Sequence, residues 1–201
     1  MTKSFKEALK ARRTFYQIEN KSTLSDKEIR DLIRFAVEFV PSAFNSQTTR
    51  VVLLTGKAHE KVVEHCKKMS CVSEFRLRYL ARPKKRLMAV SLVDMVLFSI
   101  LKIWLSFALS RRKFPTYKDN FPIWAEQTDA MHQLAVWTML EDAGMGASLQ
   151  HYNPLIDDEV RKAWNLPGDW KLVAQMPFGV PVAHGVVSSK SLDERVFEFT
   201  D

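Results

Sequence analysis

Helical and strand-like segments alternate along this chain, and the alternation predicts an α+β or α/β sandwich built as one domain. Three observations carry the prediction. A capped helical pattern runs from Ser25 to Pro41, a short apolar run of strand length follows at Val51 to Thr55, and a long helical pattern over Trp124 to Ala143 ends in glycines.

The first segment places Phe5, Leu9 and the pair Arg12–Arg13 on a short helical pattern, which gives way to extended chain at Thr14, Phe15, Tyr16 and Ile18. The basic pair therefore stands at a helix end. Ser25, followed three residues later by Glu28, has the form of a capping box, and Ile29, Leu32, Ile33, Ala36, Val37 and Val40 then recur at helical spacing until Pro41 stops them. Beyond a polar loop from Ser42 to Thr49, Val51 to Thr55 read as a strand covered on both faces, with Gly56 behind it. A further helix is expected over Ala58 to Met69. Trp124 to Ala143 runs through Met131, Leu134, Ala135, Thr138 and Met139, is closed by Gly144 and Gly146, and reads as a central core helix. A short helix over Asp157 to Trp164 and a strand over Trp170 to Phe178 complete the pattern.

The composition suits a folded domain: 201 residues, 46% apolar and 26% charged, with only 6 Gly and 8 Pro. The formal net charge of +7 would allow a nucleic acid, an anionic membrane surface or a phosphorylated cofactor as partner. The basic residues, however, gather at Arg82 to Arg86 and Arg111 to Lys113 and form no stripe interleaved with aromatics, so no nucleic-acid partner is expected. Cys66 and Cys71 make no disulfide framework, and no Cys/His ligand spacing exists, so no metal is expected. The location ranked first is the reducing cytoplasm, with the nucleus second. The amphipathic, basic start MTKSFKEALKARRTF leaves a mitochondrial presequence open.

Three constellations could carry chemistry. Arg12-Arg13-Thr14 sets two cationic forks beside a hydroxyl, as phosphate recognition needs, although a solvated helix end reads the same way. The loop Pro41-Ser42-Ala43-Phe44-Asn45-Ser46-Gln47 offers the carboxamides of Asn45 and Gln47, which donate and accept at once and so suit a mixed polar edge; the bland alternative is a turn bonded to its own backbone. Gly144 to Asn153 leaves the long helix through glycines that let backbone approach a flat ligand. Within it His151 is the candidate catalytic acid, although a lone histidine is more often structural.

Taken together, Ala43-Phe44-Asn45-Ser46-Gln47 and Ala147-Ser148-Leu149-Gln150-His151-Tyr152-Asn153 resemble the nitroreductase family, in particular its fungal and bacterial subgroup linked to fatty-acid response. The resemblance covers Lys10 to Lys68 and Phe114 to Phe199. It implies an α+β sandwich with a central mixed or antiparallel sheet flanked by helices, forming a homodimer with FMN at the subunit interface. It further implies reduction by NADH or NADPH in a ping-pong cycle and small-molecule acceptors such as nitroaromatics and quinones, in a role tied to oxidative stress or fatty-acid response. On this basis Arg12, Arg13 and Thr14 hold the FMN phosphate, while Asn45 and Gln47 meet the ribityl chain and ring edge. Backbone from Leu149 through Gln150 to His151 lies near the ring, and Arg195 supplies another phosphate cation. The family's lysine upstream of Arg195 has no match at Val187.

One stretch departs from the resemblance. Leu87 to Leu109 is an apolar run of membrane-spanning length with basic flanks, yet it contains Asp94 and Lys102, each costly at mid-bilayer, and no membrane anchorage is expected. Relatives carry here a helix and a central strand resembling GYGTVLFFED. Back-translated and read from the third base, Pro83 to Ala89 permits KEKIDG, and Asp94 to Phe107 permits YGTVLYFEDMAVV. The expectation is that residues from about Leu80 to Arg112 are read out of frame and that the sheet lacks its central strand. The rival functions are a catalytically degenerate relative with a regulatory or membrane-associated role, and a basic nucleic-acid-binding module.

Overall fold

Local capping chemistry starts the first two helices. In the computed structural model, which describes residues 3–56, 58, 60–61, 94–101, 115–183 and 189–199, helix α1 spans Phe5–Ala11 and α2 spans Asp26–Phe39. Each opens on a reciprocal capping box. Glu7 N–H donates to Ser4 Oγ while Ser4 N–H donates to Glu7, and Ser25 and Glu28 repeat the arrangement, so donors that the first turn leaves unpaired find acceptors. α2 buries Ile29, Ile33 and Ala36, the inner part of the predicted face. The helix expected over Ala58 to Met69 lies almost wholly outside the described residues.

The strands are β1 (Ile18–Glu19), β2 (Thr49–Leu54), β3 (Asp94–Leu101), β4 (Gly146–Ala147) and β5 (Trp170–Pro181). They form one sheet in the order β1-β5-β3-β2, with β4 also on β5, and every pair of strands is antiparallel. Alternation along β2 fixes the layers. Val51 and Leu53 pack in the core with α2 and the long helix α3 (Phe121–Asp142), whereas Val52 and Leu54 face Ile156, Val160 and Leu172 around the short helix α4 (Asp157–Ala163). The strand is covered on both faces, as its continuous apolar run requires.

The expectation of a missing central strand is overturned. Asp94–Leu101 pairs with β2 from Thr49↔Ile100 to Leu54↔Met95 and with β5 from Asp94↔Phe178 to Leu101↔Trp170, and Phe98 is fully buried at the centre. An apolar run read by period alone fits a membrane helix and a buried strand equally well. Here the eight residues Asp94–Leu101 of it are bounded by sheet partners on both sides. Among the described residues no helix is long and apolar enough to cross a membrane.

The long helix is central, as expected, with Thr138 buried and Ala135 and Met139 packed on the core, but part of the predicted pattern faces outward. Met131 and Leu134 are 42% and 44% exposed, and the buried side carries Ala125, Thr128, Asp129, His132, Gln133, Val136 and Leu140. Polar groups sit inside because they bond within the helix: His132 Nδ1 lies 2.8 Å from Thr128 O, and Gln133 Nε2 donates to Asp129 Oδ2 at 2.6 Å.

Asp129 is the costly member of this set. Burial raises its pKa to about 6, only partly opposed by the Gln133 amide, with nearby Glu126 adding to the rise. A carboxyl whose pKa is higher folded than unfolded favours the fold while protonated. That contribution is complete below the unfolded value near 4 and disappears as pH rises through about 6, an effect on the order of 3 kcal/mol. Denaturant titrations should therefore show Asp129→Asn matching the wild type at pH 4 and exceeding it by up to about 3 kcal/mol at pH 8. Parallel pH profiles for the two proteins would remove this account.

Candidate functional site

A network around β5 positions the polar segment that leaves the long helix. Gly144, with φ 79°, ends α3, and Gly146 in β4 packs so tightly that an added Cβ would stand 2.8 Å from the Phe15 ring and 3.0 Å from Pro181. Beyond β4 the chain follows β5: Ser148 N–H donates to Pro177 O at 3.2 Å, and Gln150 and Gln175 exchange both backbone bonds at 2.7 and 2.9 Å. β5 carries one extra residue opposite Phe98 and Ser99, where the register shifts. The carbonyls of Leu172 and Val173 at that bulge both accept from Asn153 Nδ2, at 2.6 and 3.0 Å.

Gln175 closes the network. Fully buried, it accepts the Tyr152 N–H on Oε1 at 2.8 Å and donates from Nε2 to Asn153 Oδ1 at 3.1 Å. Because a backbone N–H can only donate, its position fixes which end of the amide is oxygen. The sequence reading gave Gln175 no role. The available signal was a carboxamide in the middle of the apolar strand pattern Leu172-Val173-Ala174-Gln175-Met176, where a buried polar group requires partners.

The same edge holds the basic segment. Thr14 bridges Ala147 in parallel, and Phe15 N–H donates to Ala147 O at 3.0 Å, so Arg12-Arg13-Thr14 lies beside the start of the Leu149 to His151 segment. The Arg12 guanidinium carbon stands 4.5 Å from the centroid of the Trp137 ring on α3, a cation–π contact. Arg12 Nε is buried without a partner among the described residues, and so is Trp137 Nε1. Burial lowers the Arg12 pKa, the Arg13 charge lowers it further, and Glu141 offsets part of the loss. An unpaired donor on a desolvated cation, with a second cation and a hydroxyl in sequence beside it, fits a phosphate. His151 is exposed, and no hydrogen bond engages its ring among the described residues. Arg195 is also exposed, on the turn that starts at Leu192, and no bond joins it to Arg12-Arg13-Thr14 among the described residues.

Asn45 and Gln47 lie elsewhere in the chain. Both are exposed on a tight turn, and Gln47 Nε2 donates to Asn45 Oδ1 at 3.0 Å. Phe44, Asn45 and Gln47 have φ values of 53°, 52° and 47°, a run of left-handed backbone that side-chain-bearing residues rarely adopt and that concentrates at ligand sites. Ser42 Oγ steadies the turn by accepting the Gln47 N–H at 3.0 Å. Phe44 packs against Phe121 and Trp124 at the start of α3, whereas Arg12 packs on Trp137 further along it. At 1.5 Å per residue these contacts are about 20 Å apart along the helix. Within one chain the carboxamide loop and the basic segment do not meet.

Residues 9–180 match the sequence profile of the nitroreductase family. The chain belongs to that family. A Saccharomyces cerevisiae relative, described as the nitroreductase HBN1, is 30% identical over 184 residues, spanning 90% of this chain and 89% of its own. The Lactococcus lactis nitroreductase CinD, solved with chloramphenicol, superposes with a TM-score of 0.87 at 34% identity over 98% of this chain and 100% of its own. A Desulfovibrio desulfuricans nitroreductase-type structure in complex with FMN shares the fold at 16% identity, with a TM-score of 0.66 over 100% of this chain and 99% of its own. This nitroreductase-family chain is therefore an oxidoreductase by family, with the fungal and bacterial kinship expected from its motifs.

The role given to Gln175 is open to a stability measurement. Gln175→Leu removes two hydrogen bonds and leaves the Tyr152 N–H and Asn153 Oδ1 unpaired, which costs about 2–4 kcal/mol. Chemical denaturation reads that loss. A change below about 1 kcal/mol would mean that the amide does not hold the segment.

Proposed function

We propose that this protein is an FMN-dependent oxidoreductase that takes electrons from NADH or NADPH and passes them, in a ping-pong cycle, to nitroaromatic, quinone or similar flat acceptors. The observation that carries the reading is the buried, unpaired Arg12 Nε beside Arg13 and Thr14, pinned through Ala147 next to the Leu149 to His151 segment. The FMN and chloramphenicol bound to the two relatives point the same way for cofactor and acceptor class.

FMN, when bound, supplies the hydride chemistry. The chain's own residues supply position and charge. Arg12, Arg13 and Thr14 hold the phosphate, and an anion there restores what desolvation takes from the Arg12 cation. Asn45 and Gln47 meet the ribityl chain and ring edge with mixed donors and acceptors. Backbone from Leu149 to His151, held by Gln175, would lie beside the ring, and with the Gln150 N–H taken by Gln175 O the Leu149 and His151 N–H groups would be the ones to face developing negative charge. His151 stands at the solvent side as the candidate proton donor, and Arg195 as a further phosphate cation.

Since the loop and the basic segment sit about 20 Å apart along α3, one cofactor site draws them from two copies. The stripe of Ile123, Met131 and Leu134, all substantially exposed on α3, supports a homodimer whose interface runs along that helix.

Two measurements test the reading. Purified protein should show flavin absorbance that bleaches with NADH or NADPH; a colourless protein that cannot be reconstituted with FMN would refute the function. The two-copy site makes a sharper demand on mixed dimers. Arg13→Ala and Asn45→Ala chains, each weak alone, should regain about a quarter of wild-type activity when assembled together, because half the dimers are mixed and each holds one intact site. No recovery would place both groups in one subunit's site.

A further inference from the structure

Lys3, just before α1, fastens the end of α3 at three points. Its N–H donates to Asp142 Oδ1 at 2.6 Å, and its Nζ donates to the Glu141 carbonyl at 2.8 Å and to Glu141 Oε1 at 2.9 Å. A cation at a helix C-terminus suits the dipole and the carbonyls that the last turn leaves unpaired. The bond to Oε1 does something further, because it fixes where a carboxylate points. That side chain is only 14% exposed, so water and salt screen its charge weakly, and among the described residues Lys3 is its one hydrogen-bond partner.

The other end of α1 meets the same helix. Arg12, which follows α1, lies over the Trp137 ring, and Trp137 precedes Glu141 by one helical turn, so Lys3 and Arg12 reach one face of α3 a single turn apart. Glu141 acts on both cations. Burial and the Arg13 charge lower the Arg12 pKa and Glu141 opposes them, yet no ion pair joins Glu141 to Arg12, and Arg12 Nε stays buried without a hydrogen-bond partner among the described residues. A carboxylate that Arg12 feels but does not bond is a standing competitor for any anion that Arg12 binds.

We propose that Lys3 is a positioning residue for the cofactor phosphate: by holding the Glu141 carboxylate it keeps Arg12 free to bind the anion. The proposal rests on the FMN reading for the identity of that anion, although the phosphate site itself does not need the flavin. Without Lys3 the Glu141 carboxylate turns to Arg12, and a phosphate must then displace it and meet one positive charge fewer. Lys3 touches no part of the cofactor site and acts only through Glu141.

FMN, riboflavin and inorganic phosphate serve as probes on the full-length protein freed of flavin. Riboflavin lacks the phosphate and reports the rest of the site; both flavins are titrated by fluorescence, and phosphate is read as a rise in Tm over chloride at equal ionic strength. Lys3→Met should weaken FMN about tenfold and leave riboflavin within about twofold, while Lys3→Arg keeps FMN near wild-type affinity. Removing the competitor reverses the loss, so Lys3→Met combined with Glu141→Gln should bind FMN within about twofold of the wild type. The rise in Tm with phosphate should shrink in Lys3→Met and return in the double variant. FMN affinity unaltered by Lys3→Met, or no recovery in the double variant, would overturn the proposal. Equal weakening of FMN and riboflavin would assign Lys3 to holding the fold and overturn it likewise. A wild type that binds neither flavin, yet gains Tm from phosphate only while Lys3 is present, would refute the oxidoreductase reading and keep the site; with no gain from phosphate either, both fall.

Discussion

The described fold depends on how β5 satisfies its backbone and its one buried carboxamide. This strand pairs with β1, β3 and β4 and bridges Gln150, so most of the chain's distant segments register on it. Its bulge at Val173 would leave carbonyls exposed to an apolar core, and Asn153 answers them. Gln175 then ties Asn153 to the Tyr152 backbone. The polar segment that reaches the candidate flavin edge is thus fixed by repair of an irregular strand, and its precision comes from the core.

The long helix imposes the second constraint. Its inner face is partly polar, and several of those groups bond along the helix, which frees apolar Ile123, Met131 and Leu134 to point outward. The same helix separates Phe44 from Arg12 by about 20 Å. The proposed second copy, laid along α3, would cover the outward apolar stripe and complete the divided site. Asp129 fits poorly in this economy, since its raised pKa means that the ionised fold carries an unfavourable charge near neutral pH.

What was legible in the sequence was local. Both partners of the Ser25–Glu28 capping box lie within four residues, and the apolar run of β2 declares burial on both faces without naming its neighbours. The C-terminal end of α3 was readable from its glycines. The motifs around Arg12, Asn45 and Leu149 could be picked out from residue chemistry and the family resemblance. Their arrangement could not, because the Thr14–Ala147 bridge is a non-local pairing and the distance between Phe44 and Arg12 is set by a helix separate from both. At Met131 and Leu134 the inner face of α3 was misread for a related reason. Hydrophobic period assigns burial to apolar residues, whereas partnered polar groups invert the pattern.

The strand at Asp94–Leu101 shows how little a sheet centre asks of side-chain identity. β2 and β5 each present a row of N–H and C=O groups toward the gap between them, and leaving those rows unpaired inside the fold would cost far more than an imperfect side-chain fit. Backbone pairing needs only extended chain, which Asp94–Leu101 supplies. An out-of-frame origin of this segment and a central strand are therefore compatible. The bare edges of β2 and β5 require only that some strand be there. Packing at Phe98, fully buried among Val51, Val136 and Met176, is where a foreign sequence would register its misfit, and that side chain is accommodated.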